Sequence, residues 1–308
     1  MPYIRTCDET RLFYTDGGTG TPMVFVASAW LDSRMWDFQI PFLVDHGFRC
    51  VAVDRRGHGR SDSPWTGYDY DTLADDLGAL LDALDLRDVA LVSHSAGCGE
   101  IVRYLTRHGA ERVANITLVS GTAPCLMKKP DNPEGVDSGL MQADLQRRTA
   151  DRPKWFAANA AGFFGTDLPG ITVSPEFTDY VIRQCLDCSA RATAQFFLTG
   201  FTTDLRDELQ TVRVPALIVH GDHDFQAPLE LCGRKTAQLM RHGTLRVYEN
   251  AAHGLFVTHA DQLNADLLAF AGTHRLRASA TASARTGSQR SRRGGGLPVG
   301  DRGGGTSA

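Results

Sequence analysis

Apolar, β-branched runs recur along the chain at PMVFVAS (22–28), FRCVAVD (48–54), DVALVSH (88–94), NITLVSG (115–121), PALIVHG (215–221) and LRVYEN (245–250). Each predicts a strand. Their apolar character is continuous instead of alternating, which predicts a parallel sheet covered on both faces. Helical spacing separates them. In DYDTLADDLGALLDALDL (69–86), Leu73, Leu77, Leu80, Leu81 and Leu84 fall on one face, and the acidic first turn suits the positive end of a helix. DQLNADLLAFAG (261–272) predicts a final helix ending at Gly272. Strands alternating with helices predict an α/β, doubly wound, mostly parallel sheet, in which function sits where the strands end.

One connection is far longer than a parallel crossover requires. Between Gly121 and Val214, the segments KWFAANAAGFFG (154–165), FTDYVIRQCLDC (177–188) and ARATAQFFLTGF (190–201) read as helices. They predict an inserted helical cap over the strand ends. Its Trp155, Phe156, Phe163, Phe164, Phe196 and Phe197 divide between core and the lining of an apolar pocket. The expected organisation is a core of residues 1–121 and 206–274, a cap of 122–205, and a tail of 275–308.

Composition narrows the class. The 308 residues are 42% apolar, enough for a substantial core. No run approaches the roughly 18 apolar residues of a membrane span, and the amino-terminal segment has no secretory pattern. The expectation is a cytoplasmic protein that does not engage membranes. Seven scattered cysteines fit reduced thiols better than a disulfide framework, and Cys185 with Cys188, lacking a second pair or nearby histidines, makes a poor zinc site. The net charge of −4 hides an asymmetry. The tail carries seven arginines against Asp301 alone, a charge of +6, which leaves −10 on the residues before it. Its Gly, Ser and Arg mixture predicts disorder. Without aromatic residues for base stacking, it gives no expectation of nucleic-acid binding. No sequence pattern specifies an oligomeric state.

Nucleophilic chemistry on a serine needs a base, a group that orients the base, and donors for the developing oxyanion. LVSHSAGCGE (91–100) places Ser95 between an apolar strand and a helix-like segment, the setting that gives a G-x-S-x-G elbow its meaning. Ser93 replaces the first glycine, and Gly97 keeps the second. A helix cap is the structural alternative for Ser95. In LIVHGDHDFQAP, Asp222 and Asp224 both follow a strand; Asp224 is read as the orienting acid, with the reverse assignment still open. His253 lies in the loop after LRVYEN and completes the order Ser, Asp, His. His58, His94 and His259 read as structural, His94 as facing away beside the nucleophile, and Cys98 as packing against the sheet. DRRGHGRSD (54–62) matches no phosphate-loop spacing and reads as a structural turn.

The strings MWDFQIPFLVDHGFRCVAVDRRGHGRSD, YDYDTLADDLGALLDALDLRDVALVSHSAGCGE, LIVHGDHD and AAHGLFVTHADQLNADLLAF are similar to those of α/β-hydrolases. More narrowly, the chain resembles the cofactor-free bacterial haloperoxidase, arylesterase and perhydrolase group over residues 1 to about 274. The resemblance implies a triad of Ser95, Asp224 and His253, no metal, haem or flavin, and oxyanion donors from the backbone amides of Ala29 and Ala96. It also marks departures: Ala27 and Ser28 replace the usual His-Gly pair, and Trp30 stands where many members have proline. Trp30 and Trp155 are the candidate pocket residues. The implied activity is hydrolysis of small carboxylic esters or lactones through an acyl-enzyme, with peroxide as a possible acceptor in place of water. A lyase or carbon–carbon hydrolase and a slow-turnover small-molecule receptor are the alternatives. Haloalkane dehalogenation is disfavoured, because it normally uses a carboxylate nucleophile.

Overall fold

The computed structural model describes residues 2–272, so the expectation about the tail, and the last two residues expected in the core, lie outside the described residues. The strands are β1 (Tyr3–Arg5), β2 (Arg11–Gly17), β3 (Thr21–Val26), β4 (Phe48–Val53), β5 (Val89–His94), β6 (Val113–Val119), β7 (Ala216–Gly221) and β8 (Gly243–Tyr248). They form one sheet in the order β1-β2-β4-β3-β5-β6-β7-β8. From β4 to β8 the pairing is parallel, whereas β1 and β2 add an antiparallel edge. That edge is absent from the pattern read above. β2 is only partly buried, so its apolar run is short and mixed.

The helices are α1 (Ile40–Asp45), α2 (Tyr70–Ala83), α3 (Gly97–His108), α4 (Ser138–Ala150), α5 (Arg152–Phe164), α6 (Pro175–Asp187), α7 (Ala190–Thr202), α8 (Arg206–Thr211), α9 (Gly233–Leu239), α10 (Leu255–Thr258) and α11 (260–272). Strand periodicity divides the core in two. Val24, Val26, Val89 and Leu91 face one way, against Leu73, Leu77, Leu80 and Leu81 of α2 and Ile101, Val102 and Leu105 of α3. Their neighbours Met23, Phe25, Ala90 and Val92 face the other way, toward Trp36, Leu43, Phe256, Leu263 and Leu267. Each such aliphatic or aromatic side chain, once fully buried, stabilises the fold by roughly 1.5–3 kcal/mol. α2 starts cleanly because the Asp69 carboxylate accepts from the Thr72 N–H.

Register is what positions function. Val26 pairs with Ser93, His94 with Val119, Val119 with Val219, and Gly221 with Tyr248. The parallel strands therefore end nearly flush along one edge. β3 lies between β4 and β5, so the crossover from β3 to β4 runs one way along the sheet and the next, from β4 to β5, runs back past β3, which opens a crevice there. Helices α4 to α7 are inserted between β6 and β7 and supply much of the wall above that crevice.

Candidate active site

Three loops at the flush edge bring Ser95, Asp224 and His253 together. His253 Nδ1 lies 2.7 Å from Asp224 Oδ2, and its Nε2 lies 2.9 Å from Ser95 Oγ. All three are buried. Ser95 has a φ of 57°, in the left-handed region that side chains normally avoid. The conformation is tied down on both sides: the Ser95 N–H donates to Val119 O at 2.9 Å, and Ser95 O accepts from the Cys98 N–H at 3.1 Å. Gly97 is required by space, because a Cβ there would meet Ala27 O at 2.6 Å. Ser93 is accommodated differently. Its hydroxyl donates to Cys98 Sγ at 3.3 Å, so the replaced glycine becomes part of a buried contact between β5 and α3.

Asp224 is held by backbone as well as by the imidazole: its Oδ1 accepts from the Gln226 and Ala227 N–H groups at 3.1 and 2.9 Å. Burial acts to raise this carboxyl, but the histidines beside it and the Ala227 N–H outweigh burial and hold it below the usual carboxylate value. Asp222 has other work. It bonds His223 Nδ1 and accepts from the Ala251 N–H, at a partly exposed position away from the triad.

Ala29 follows β3 by three residues, Ala96 is the N-cap of α3, and both line the same cavity as Ser95 and His253. The Ala96 N–H belongs to the donors a helix start leaves without an intrahelical partner. Residues that the sequence reading passed over support this ground. Arg55 Nη2 donates to Ala27 O at 2.7 Å and Nη1 to Ser28 O at 3.2 Å, fixing the two peptides that lead into Ala29. Its Nε donates to Glu100, and Phe196 covers the guanidinium with its ring. The Tyr70 hydroxyl donates to Ala96 O at 2.7 Å. DRRGHGRSD is thus a structural turn whose first arginine braces the loop opposite the nucleophile.

Two buried histidines adjoin the triad. His94 does not point away from it: its ring packs edge-on against His253, with centroids 4.7 Å apart, and its Nε2–H donates to His253 O at 2.8 Å. Burial pushes His94 down to about 3, so it is neutral. His220, which the sequence reading did not single out, lies with Nε2 3.7 Å from Asp224 Oδ2 and 2.6 Å from Ala227 O.

The cavity above Ser95 has a volume of about 270 Å³. All six cap aromatics named from the sequence line it, as does Trp30, whose ring meets that of Trp155 edge-on at 5.6 Å. The cap also touches the histidine loop, because the Gly254 N–H donates to Phe163 O at 2.6 Å. The sequence reading missed α4 entirely. That helix brings Asp144 and Arg148 to the cavity wall. Its buried set is only Met141 and Arg148, too sparse for an apolar stripe to show. The Asp137 cap and the i, i+4 spacing of Asp144 and Arg148 were the available signals.

The arrangement can activate a hydroxyl and accept its proton. Comparisons with known proteins agree with this chemistry. A non-heme chloroperoxidase of Kitasatospora aureofaciens is 40% identical over 276 residues, covering 88% of this chain and 99% of the relative. A bifunctional esterase/perhydrolase of Acinetobacter calcoaceticus is 37% identical over 274 residues, with the same coverage. The crystal structure of a bromoperoxidase from Bacillus anthracis superposes with a TM-score of 0.82 at 34% identity, over 87% of this chain and 98% of that one. The profile of the α/β hydrolase fold matches residues 17–260, and with it the chain belongs to the α/β hydrolase fold family, as an enzyme of that family.

Proposed function

We propose that the chain is a serine hydrolase of small carboxylic esters or lactones, working through an acyl-enzyme on Ser95. The observation that carries this reading is the continuous hydrogen-bonded line from Asp224 through His253 to Ser95 at the floor of the aromatic cavity. His253 Nε2 takes the hydroxyl proton as Ser95 Oγ attacks the carbonyl carbon. The N–H groups of Ala29 and Ala96 hold the oxyanion, and the imidazolium, stabilised by Asp224, returns its proton to the departing alkoxide. Water activated by His253 then releases the acid. Hydrogen peroxide in the same place would release a peracid and restore the free serine, the route by which such a site oxidises halide without a cofactor. The activities for which the two relatives are named, chloroperoxidase and esterase/perhydrolase, support both acceptors.

The reading assigns chemistry to the core, residues 1–121 and 206–274, and substrate choice to the cap, 122–205. It also places the activity in the cytoplasm, supported by seven unpaired cysteines, six of them buried. Among the described residues, no helix is long and apolar enough to cross a membrane. A fluorophosphonate should modify Ser95, found by peptide mapping, and Ser95→Ala should lose at least about 10⁴-fold in ester turnover. A product burst retained by Ser95→Ala would overturn the reading. An ester panel run with and without peroxide divides the two acceptors.

A further inference from the structure

The wall of the cavity holds a cation that the proposed chemistry leaves unused. Arg148 of α4 is buried, with its side chain 2% exposed. Its guanidinium stacks on three cavity aromatics, 4.2 Å from the ring centre of Trp30, 4.0 Å from Trp155 and 4.1 Å from Phe197. One nitrogen is spoken for, since Nη2 donates to Asp144 Oδ2 at 2.6 Å. Nε and Nη1 are buried and have no hydrogen-bond partner among the described residues.

The indole N–H groups that flank the arginine are already engaged. Trp155 Nε1–H donates to Asp144 Oδ1 and Trp30 Nε1–H donates to Thr193 O. Asp144 is shared further with Arg147, so two arginines face one carboxylate and the cluster stays positive by one charge. Burial pulls the Arg148 guanidinium down only to about 10, and it is charged at neutral pH. Stability alone is a poor reason to keep such a group, because apolar replacements of buried ion pairs are often neutral or favourable. A buried N–H without an acceptor also costs stability. A planar guanidinium with free donors in an aromatic slot is suited to a carboxylate. The cavity volume, at roughly 30 Å³ per water-sized unit, admits a ligand on the order of ten non-hydrogen atoms.

We infer that the preferred substrates are esters or lactones bearing a free carboxylate, which Arg148 binds through its unpartnered N–H groups while Ser95 attacks the ester carbonyl. The inference rests on the serine-hydrolase reading and narrows it to acidic substrates. The test compares monoethyl succinate, glutarate and adipate with the matching ethyl esters in which the carboxylate is a carboxamide, by proton release at fixed pH. A second arm places the charge in the alcohol, as acetate esters of ω-hydroxy acids and their amides.

The wild-type chain should favour at least one acid over its amide by about tenfold or more in kcat/KM. Arg148→Met should collapse that ratio, whatever happens to either rate alone, and Arg148→Lys should retain part of it. Should Arg148→Met fail to fold, wild-type inhibition decides instead: glutarate should compete with ethyl butyrate, and glutaramide should not. Ser95-dependent turnover with no preference for any acid in either arm would overturn this inference alone. Absence of Ser95-dependent turnover with every ester would overturn the hydrolase reading and this inference with it.

Discussion

Arg55, in the turn after β4, and Arg148, in the cap, are equally buried, with side chains 3% and 2% exposed, yet their partners are arranged oppositely. Arg55 spends its donors on Glu100 and the carbonyls of Ala27 and Ser28, and so fixes the backbone leading into Ala29. Arg148 spends one nitrogen on Asp144 and leaves two in the cavity wall. In the core, Arg55 uses its buried charge to hold geometry, with each of its three guanidinium nitrogens hydrogen-bonded. The cap holds its charge in an aromatic slot with two buried nitrogens unpartnered among the described residues. On the reading proposed above, this difference separates a framework that positions a reaction from a wall that chooses what reacts.

The largest expected effect tests that contrast on stability. Arg55→Met strands Glu100 in the interior, where burial already pushes its carboxyl up to about 7. The expected loss is about 3–5 kcal/mol of unfolding free energy, the scale for breaking one side of a buried pair. Arg148→Met should cost less, about 1–2 kcal/mol, because methionine keeps apolar contact with the three rings and only the cation–π attraction to them is lost. The Asp144 side chain left behind is 26% exposed and keeps both Arg147 and the Trp155 N–H. Denaturant titration of the two variants reads the difference directly. Equal losses would mean that Arg148, too, is a structural tie.

Acid sharpens the same comparison. His58 and His94 belong to the core, and burial pushes each down to about 3. An unfolded histidine titrates near 6.5. Between those values the unfolded chain takes up protons that the folded chain refuses, so their contribution is complete above about pH 6.5 and is lost as pH falls toward 3. Each should add about 1.4 kcal/mol per pH unit to the slope inside that window. His94→Gln, whose amide can still donate to His253 O, should flatten the dependence measured from pH 7 to pH 5. Arg148→Met should leave it alone, since its charge does not change there. An unaltered slope in His94→Gln would remove that residue from the neutral buried set.

The same contrast explains what could be read from the sequence. Strands buried on both faces announce themselves as unbroken apolar runs, and flush parallel register then sends Ser95, Asp224 and His253 to one edge. The edge pair β1 and β2 is partly exposed, and its pattern fades accordingly. Arg55 was visible within a recognisable string, but its role depends on Glu100, 45 residues away, and on carbonyls that carry no side-chain signature. Arg148 was invisible for another reason. A helix that buries a methionine and an arginine while exposing Leu140 has no apolar stripe to find. Framework is written in hydrophobic periodicity, whereas the proposed selectivity residue is a side chain whose chemistry runs against it.

The smallest expected effect concerns the position where the serine elbow departs from its usual glycine. Ser93→Gly deletes a neutral hydroxyl bond to Cys98 Sγ and places a flexible residue in the central strand β5. Glycine in a strand costs roughly 0.5–1 kcal/mol, and a bond to a thiol sulfur adds little. The left-handed turn at Ser95 is held by Val119 O and the Cys98 N–H, neither of which needs the Ser93 side chain. Stability should therefore fall by about 1 kcal/mol, and kcat/KM on a neutral ethyl ester should stay within about threefold, under 0.7 kcal/mol in activation free energy. Ordinary kinetics beside a denaturation curve suffice. A tenfold fall in kcat at unchanged stability would show that the Ser93 contact positions Ser95. It would also join this serine to Arg55 in the geometry-holding core.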